Sequence, residues 1–221
     1  CDRVSAFGSI VGFNKEVDLN TANLLREEAK SGIKIEAIIA PDFTSEALKQ
    51  LSRVKTRRIL ATGELEHDES ALHFRHITNG ILVQGLDSHY LSEKDLQVAT
   101  RRKPTENEIR SLFFSWKACK HVKSNAILLA QNTKTVGIGA GQMSRVDSSI
   151  IAVRKAGDRA KGAVLASDAF FPFPDGVETA GKAGITAIIQ PGGSVGDDEV
   201  IEMANKYDMA MVFTGVRHFK H

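Results

Sequence analysis

The sequence has few cysteines, no long apolar run and almost no excess of charge, and each scarcity argues against a class of protein. Its two cysteines cannot form a CxxC pair and allow at most one disulfide, which argues against a disulfide framework or a cysteine-rich zinc site. A net charge of +2 is too small for the basic field that binds nucleic acid. Without an apolar run of about 18 residues, no transmembrane helix is expected. The composition therefore predicts a cytoplasmic protein that binds neither nucleic acid nor membrane.

The 221 residues alternate short apolar runs with amphipathic segments. Runs such as IEAIIAP, AVLAS, TAIIQ and MAMVFTG have the length of buried strands, whereas PTENEIRSLFFSWKACKHVKS and SRVDSSIIAVRKAGDRAKG have helical spacing. AILLA and TVGIGA, which flank QNTKT, predict a β-hairpin or two close strands. This alternation predicts an α/β fold with mostly parallel sheets and helices on both faces. A basic, proline-interrupted stretch over residues 95–104 is the best candidate domain boundary.

Ligands of such sheets bind at the loops that follow the strands, and the first loop of interest is GIGAGQMSR. Gly137, Gly139 and Gly141 permit close backbone approach, and Arg145 stands at the start of the next helix. Free N–H groups and a cation at a helix start favour an anionic or carbonyl-bearing ligand. The spacing is neither a dinucleotide fingerprint nor a P-loop, and a tight structural turn explains the glycines equally well.

Two further loops combine aromatic, small and acidic residues. SDAFFPFPDG places Phe170 and Phe173 near Asp175, which suits a flat heteroaromatic ring whose N–H groups donate to a carboxylate. The alternative is a hydrophobic plug with Asp175 capping the following helix. PGGSVGDDE forms a tight turn, and capping of the next helix by Ser194 or Asp197 competes with a ligand role.

Basic residues outside these loops are weaker candidates. Arg217 follows the last strand and could bind a phosphate, although a basic terminus is usually solvated. His121 beside Lys120 is a candidate general base. The histidines of the polar stretch between two predicted strands lack the spacing of a metal site, so we interpret them as solvated residues of a loop or edge strand. They are His67, His73 and His76.

Seven stretches of the sequence together resemble one family, the bifunctional purine biosynthesis enzymes that combine AICAR transformylase with IMP cyclohydrolase. The stretches are CDRVSAFGSIVGFNKEVD, IEAIIAPDFTSEAL, KHVKSNAILLA, TVGIGAGQMSRVDS, ASDAFFPFPDG, IIQPGGS and VFTGVRHFKH. GIGAGQMSR, SDAFFPF and QPGGS in that order are the most specific, and the resemblance runs from the first residue to the last. It implies formyl transfer from 10-formyltetrahydrofolate to the 5-amino group of AICAR, giving FAICAR and tetrahydrofolate, with no catalytic metal.

The resemblance also implies a fold and two sets of ligand contacts. The fold is a duplicated cytidine-deaminase-like, three-layer α/β/α architecture, with residues 1–103 as the remainder of one subdomain and residues 104–221 as the second. The implied AICAR contacts are Gly8, Glu36, Asn125, Arg145, Phe170 and Arg217. The implied folate contacts are Val146, Phe173, Asp175, Ser194 and Val195. Asn125 is in addition the candidate catalytic residue, because its amide NH₂ can stabilise the tetrahedral oxyanion without carrying charge.

The sequence begins with Cys1 and not with Met, and the front part of the family pattern is missing from it. The family's catalytic Lys-His pair, in a KHANPCG-like motif, precedes the segment with which this sequence begins, as does the cyclohydrolase domain. Lys120 and His121 belong to the separate KHVKSN motif. We expect a processed product or fragment with no cyclohydrolase activity and little transformylase activity alone. A noncatalytic nucleotide-binding or dimerisation portion is the alternative, since relatives form homodimers with active sites near the interface.

Overall fold

The computed structural model describes residues 2, 5–65, 68 and 70–221. They divide into a larger unit that contains His89–His221 and a smaller unit that ends at Ser88. The strands are β1 (Ser9–Gly12), β2 (Ile35–Ala40), β3 (Arg58–Ala61), β4 (Leu72–Ile77), β5 (Gly80–Gly85), β6 (Gln97–Val98), β7 (Ile127–Gln131), β8 (Lys134–Gly139), β9 (Val164–Ser167), β10 (Ala187–Gln190) and β11 (Ala210–Phe213). The helices are α1 (Leu19–Lys30), α2 (Ser45–Leu51), α3 (Glu106–Cys119), α4 (Arg145–Ala156), α5 (Asp175–Lys182) and α6 (Asp197–Lys206). The division into two duplicated subdomains, residues 1–103 and 104–221, stays a prediction.

The larger unit is built on a six-stranded sheet in the order β6-β11-β10-β9-β7-β8. Its centre, β9 to β11, is parallel, whereas β6, β7 and the β7–β8 hairpin add antiparallel pairs. The predicted hairpin around QNTKT is therefore confirmed. The predicted α/β class is confirmed as well, with parallel pairing concentrated in the centre of this sheet and throughout the smaller unit's sheet of β1 to β3.

The inner strands β9 and β10 of the larger unit are buried along their whole length because both faces of their sheet are covered. Alternate residues of β7 point to opposite sides, so Ile127 and Leu129 enter one core and Leu128 enters the other. The first core lies under α4, α5 and α6, and the second packs against α3 through Leu112 and Trp116. This arrangement gives three layers, helix on sheet on helix.

Helix α4 packs so closely on strand β8 that two positions of the strand have no room for a side chain. A Cβ atom built on Gly137 would overlap the carbonyl oxygen of Ala152, and one built on Gly139 would overlap the carbonyl group of Ser148. Neither glycine has a positive φ, so both are required by space rather than by backbone conformation. The contact fixes the position of the amino end of α4, where Arg145 lies.

The smaller unit has a parallel sheet in the order β1-β2-β3 with α1 and α2 packed on it. Ile38, Leu25 and Leu51 belong to its core. The hairpin of β4 and β5 is separate from that sheet, and every residue of both strands is exposed. Within the part of the chain that the structure describes, no helix combines the length and apolar character needed to cross a membrane.

The histidine stretch forms an edge strand, one of the two alternatives predicted for it. His73 and His76 both lie on β4, where they are exposed and, being three residues apart, point to opposite faces. His67 lies outside the described residues. Among residues 2, 5–65, 68 and 70–221, no group of three or more His, Cys, Asp and Glu is placed to hold a metal ion.

A partly buried ion pair fixes the start of α3 in the larger unit. Thr105 and Glu108 form a capping box, and the Glu108 carboxylate also accepts from Arg102 Nη2 at 2.8 Å. Arg102 Nε donates to the carbonyl oxygen of Asp208 at 2.7 Å, which ties this corner to the end of α6. Burial alone would raise the pKa of Glu108, but the hydrogen bonds from Arg102 and Thr105 prevail and lower it to about 2.

The lowered pKa of Glu108 predicts a loss of stability in acid. The unfolded chain binds a proton near pH 4.5 and the folded chain only near pH 2, so the contribution of this group is complete above pH 4.5 and is lost as the pH falls to about 2. We expect Glu108→Gln to remove on the order of 3 kcal/mol of unfolding free energy at pH 6 and far less at pH 2.5. Urea denaturation at both pH values measures this difference. Equal losses at the two pH values would contradict it.

Candidate functional site

Strands β8, β9, β10 and β11 all end at one edge of the six-stranded sheet. The last three are mutually parallel, and β8 shares their direction because it and β9 are both antiparallel to β7. The three loops predicted to bind ligands follow β8, β9 and β10, and the tail with Arg217 follows β11. Asn125 precedes β7, which runs the opposite way, so it lies at the same edge. The fold therefore brings the candidate residues of the larger unit to one edge of its sheet.

Arg145 is the first residue of α4, and its side chain is buried. The side chain is 6% exposed, and its guanidinium forms an ion pair with Asp168. Nη1 also donates to Ser167 Oγ at 2.8 Å, and Nη2 donates to Asn125 Oδ1 at 3.1 Å. A cation at a helix amino end is disfavoured by the helix dipole, and a buried cation requires a partner. Asp168 supplies that partner.

Asp168 is the site residue that the sequence analysis missed. It follows β9 directly and is fully buried, with Oδ1 accepting from the backbone N–H of Ala126 at 3.1 Å and Oδ2 accepting from the Ser124 hydroxyl. Both carboxylate oxygens therefore accept hydrogen bonds, and Oδ1 also accepts from Arg145 Nη1. The sequence did contain a signal, because this acidic residue stands between the apolar run AVLAS and the aromatic residues AFF. A carboxylate that is buried there needs a cationic partner.

Asn125 connects Arg145 to the glycine-containing loop. Its Nδ2 donates to the carbonyl oxygens of Gln142 at 2.9 Å and Met143 at 3.0 Å, while Oδ1 accepts from Arg145. The opposite amide orientation would set the NH₂ group against the guanidinium and the oxygen against two carbonyls, so the network determines the assignment. In this arrangement both N–H donors of Asn125 are already occupied by backbone.

The three glycines of the first loop have separate roles. Gly137 and Gly139 lie in β8 and make room for α4. Gly141 alone is in the turn, with φ +66°, and its N–H donates to the carbonyl oxygen of Lys123 at 2.8 Å. Gly137 and Gly139 therefore have a structural role, but it is the close packing of a helix on a strand and not the tight turn considered from sequence.

The phenylalanines of the second loop occupy three different environments. Phe171 is fully buried in the core, Phe170 is half-buried, and Phe173 is 64% exposed. The Arg217 guanidinium carbon lies 4.6 Å from the centroid of the Phe170 ring, a cation–π contact that joins the tail to this loop. Asp175 is exposed and does not cap α5, because Pro174 occupies the N-cap position.

The third loop contacts the second and leaves an apolar side chain in solvent. A Cβ atom on Gly196 would lie 2.9 Å from the carbonyl oxygen of Pro172, so the two loops touch. Val195 is fully exposed, and Ser194 is half-buried with Oγ accepting from the N–H of Gly196 at 3.1 Å. Gly196 is the N-cap of α6, so the expectation that Ser194 or Asp197 caps it is wrong.

Comparison with known proteins identifies the family. A family model described as the AICARFT/IMPCHase bienzyme matches residues 1–155. The chain belongs to this family. Proteins named bifunctional purine biosynthesis protein PurH from Anoxybacillus flavithermus, Halalkalibacterium halodurans and Bacillus subtilis are 52%, 51% and 49% identical to it along its whole length. The chain spans 42% of the length of each of these relatives.

The AICARFT/IMPCHase resemblance also assigned two residues to the smaller unit, Gly8 and Glu36. Gly8 has φ +79° and donates its N–H to the carbonyl oxygen of Lys34 at 3.0 Å. The Glu36 carboxylate pairs with Lys34 Nζ at 2.6 Å and lies 4.0 Å from the Arg58 guanidinium. The hydrogen bond from Lys34 holds the pKa of Glu36 below its usual value. Both residues lie at the amino ends of parallel strands β1 and β2, so they are neighbours within this unit.

His121, considered from sequence as a general base, is exposed at the turn after α3. Its carbonyl oxygen accepts from Lys220 Nζ at 3.4 Å. Val146, an implied folate contact, is half-buried in the first turn of α4 beside Arg145. The contacts of this family member thus place the tail, the first turn of α4 and the loop before β7 in one connected region.

The buried ion pair predicts a large asymmetry between similar substitutions. Asp168→Asn keeps the shape of the side chain but leaves the Arg145 charge without its counterion, so we expect about 3 kcal/mol of destabilisation in urea unfolding. The exposed Glu202 in α6 supplies a matched control, and Glu202→Gln should change stability by less than about 0.5 kcal/mol. Similar effects of the two substitutions would show that Asp168 does not neutralise Arg145.

Proposed function

We propose that this chain forms part of an AICAR transformylase and binds both AICAR and the formyl donor. The observation that carries the proposal is the buried Arg145, held by Asp168 and Asn125 at the edge where β8 to β11 end. The PurH name of the relatives supports a role in purine biosynthesis. As part of the same proposal, the protein is cytoplasmic and requires no metal for catalysis.

Two arginines in this site suit two different parts of AICAR. Asp168 compensates the charge of Arg145, so any N–H group of Arg145 that the substrate reaches suits a neutral carbonyl such as the carboxamide. Arg217 is exposed, stacks on Phe170 and has no carboxylate partner among the described residues, so it suits the phosphate. Gly8 and Glu36 complete the proposed AICAR contacts.

The second and third loops suit the folate cosubstrate. Phe173 and Val195 expose apolar surface on two loops that touch each other, and Asp175 offers a carboxylate close to Phe173 in the sequence. A pteridine ring can stack on an aromatic or apolar surface and donate N–H groups to a carboxylate. Val146 and Ser194 are the remaining proposed contacts with 10-formyltetrahydrofolate.

The chemistry transfers one formyl group between two nitrogens. The 5-amino nitrogen of AICAR attacks the formyl carbon, the bond from that carbon to N10 of the folate breaks, and the electron pair of that bond returns to N10. One proton leaves the amine and one reaches N10, which gives FAICAR and tetrahydrofolate. The amine is conjugated and weakly nucleophilic, so a base must accept its proton during attack.

Asn125 remains the proposed oxyanion donor, and its contacts define how it would act. Both of its N–H groups are donated to the carbonyls of Gln142 and Met143, so donation to the oxyanion requires the substrate to replace one of these carbonyls. Before such a replacement, Asn125 contacts Arg145 instead, because its Oδ1 accepts a hydrogen bond from Arg145 Nη2.

Single charge removals distinguish the two ligands. We expect Arg217→Ala to weaken AICAR binding about tenfold or more and to change binding of the dephosphorylated nucleoside little, because the lost contact is with phosphate. We expect Asp175→Asn to weaken tetrahydrofolate binding and to spare AICAR. Isothermal titration calorimetry measures each affinity.

Controls with the same charge changes lie away from this edge. Lys134 begins β8 and Asp158 follows α4, and both are exposed. Lys134→Ala and Asp158→Asn should leave both affinities unchanged. If Arg217→Ala behaves like Lys134→Ala toward AICAR, the phosphate role is wrong, and absence of AICAR binding by the unsubstituted chain would overturn the proposed function.

We also propose that the chain forms a homodimer with active sites near the interface and that the β4–β5 hairpin contributes to it. Phe74 and Val83 face each other across the hairpin and are 57% and 52% exposed, and Ile81, two residues before Val83, points to the same face and is 52% exposed. An isolated two-stranded hairpin is marginally stable in water, and a contiguous apolar surface of this kind usually binds a partner. A second copy of the chain fits the dimeric state implied by the family.

Charge introduced on the hairpin tests the dimer. Phe74→Glu should shift the molecular mass measured by sedimentation equilibrium toward the monomer, because the carboxylate would be buried at the interface. Leu24 in α1 is 68% exposed, and Leu24→Glu serves as the control that should leave the mass unchanged. A monomeric unsubstituted chain, or equal effects of both variants, would contradict the proposal.

A further inference from the structure

The carboxy-terminal tail after β11 is held to the candidate site by backbone hydrogen bonds. The N–H of His218 donates to the carbonyl oxygen of Asp168 at 2.8 Å, and the N–H of Ser124 donates to the carbonyl oxygen of Lys220 at 2.9 Å. His218 is 3% exposed, and the centroids of its ring and of the Trp116 ring are 4.2 Å apart in an edge-on arrangement. Arg217 is therefore carried by a segment that is anchored immediately after it.

The Ser124 hydroxyl joins this tail to the buried ion pair. It donates to Asp168 Oδ2 and accepts from the backbone N–H of Lys220 at 2.9 Å. Ser124 itself is 6% exposed, so water has little access to replace either contact. One hydroxyl thus connects the carboxylate that orients Arg145 with the segment that carries Arg217.

Asp168 takes part in both halves of this arrangement. Its carboxylate binds Arg145 and Ser124, and its carbonyl oxygen accepts from His218. Phe170, on which Arg217 stacks, follows two residues later on the same loop. A displacement of this loop or of the tail would therefore change the separation of the two guanidinium groups.

We infer that Ser124 is a positioning residue that sets the tail, and with it Arg217, relative to Arg145 in the substrate site. This inference rests on the proposed function for the roles of the two arginines, and it assigns Ser124 no contact with substrate. A substrate that spans both arginines senses their separation, so loss of the hydroxyl weakens binding without removing a ligand contact.

A double-mutant cycle separates positioning from general damage. Ser124→Ala should weaken AICAR binding about tenfold in the unsubstituted chain but less than about threefold in the Arg217→Ala background, because the residue being positioned is then absent. Ser124→Thr retains the hydroxyl and should recover much of the affinity. Additive effects of the two substitutions on AICAR affinity would overturn the inference.

A buried serine outside the network supplies the control. Ser115 is fully buried in α3, and its hydroxyl donates to the carbonyl oxygen of Leu112 at 2.8 Å within the same helix. Ser115→Ala should leave AICAR affinity and its dependence on Arg217 unchanged. An effect equal to that of Ser124→Ala would mean that any buried hydroxyl has this influence, and the inference would fail.

Hydrogen exchange tests the tail independently of AICAR. In Ser124→Ala, the amides of His218 and Lys220 should exchange at least about tenfold faster, while those of β9 and β10 keep their protection. Unchanged exchange in the tail would overturn the inference. If the unsubstituted chain does not bind AICAR, the proposed function fails, and faster exchange would still support the structural half of the inference.

A second variant reaches the same hydrogen bond from the exposed side. Lys220→Pro removes the N–H that donates to the Ser124 hydroxyl and leaves the buried residues intact, so folding should survive. It should lower AICAR affinity and accelerate exchange at His218 as Ser124→Ala does. A folded Lys220→Pro chain with unaltered affinity and exchange would also contradict the inference.

Discussion

The buried ion pair between Arg145 and Asp168 is the constraint on which the rest of the site depends. Taking both charges out of water is unfavourable unless each finds its partners, so the surrounding backbone must present donors to one and acceptors to the other. Asn125 and Ser167 accept hydrogen bonds from Arg145, and the Ser124 hydroxyl donates to Asp168. Ser124 and Asn125 lie in the loop before β7, and Ser167 ends β9. These loops together thus supply the hydrogen-bond partners that the two buried charges need.

The sheet makes that arrangement possible because β7 runs against its neighbours. Had β7 been parallel to β9, the loop with Asn125 would lie at the opposite edge, away from Arg145. Because β7 is antiparallel to β9, Asn125, which precedes β7, lies beside the loops that follow the other strands. The loop with Phe170 follows β9 and the tail with Arg217 follows β11, so the contact between their side chains crosses the parallel centre of the sheet at this same edge.

Apolar runs and helical spacing were enough to predict the inner strands β9 and β10 and the helices α3 and α4, because both faces of the larger sheet are covered. Arg145, Phe170 and Arg217 were candidates both from the loops that carry them and from the family resemblance, but Asp168 was not, because burial of a single carboxylate depends on contacts across the fold. The roles of Gly137 and Gly139 were likewise hidden, since spacing cannot separate a ligand loop from close packing of a helix. Capping of α6 was mispredicted because Gly196 precedes Asp197 in a turn that Ser194 stabilises.

The close approach of α4 to β8 has a consequence for how variation in this chain is interpreted. Any side chain at Gly137 or Gly139 must push α4 outward, and the first residue of that helix is Arg145. In a screen of random variants, both glycines would therefore score as functional positions even though neither faces the loops of the site. Intolerance to substitution at these two positions would therefore identify residues that determine where the Arg145 guanidinium lies. It would not identify residues that contact a ligand.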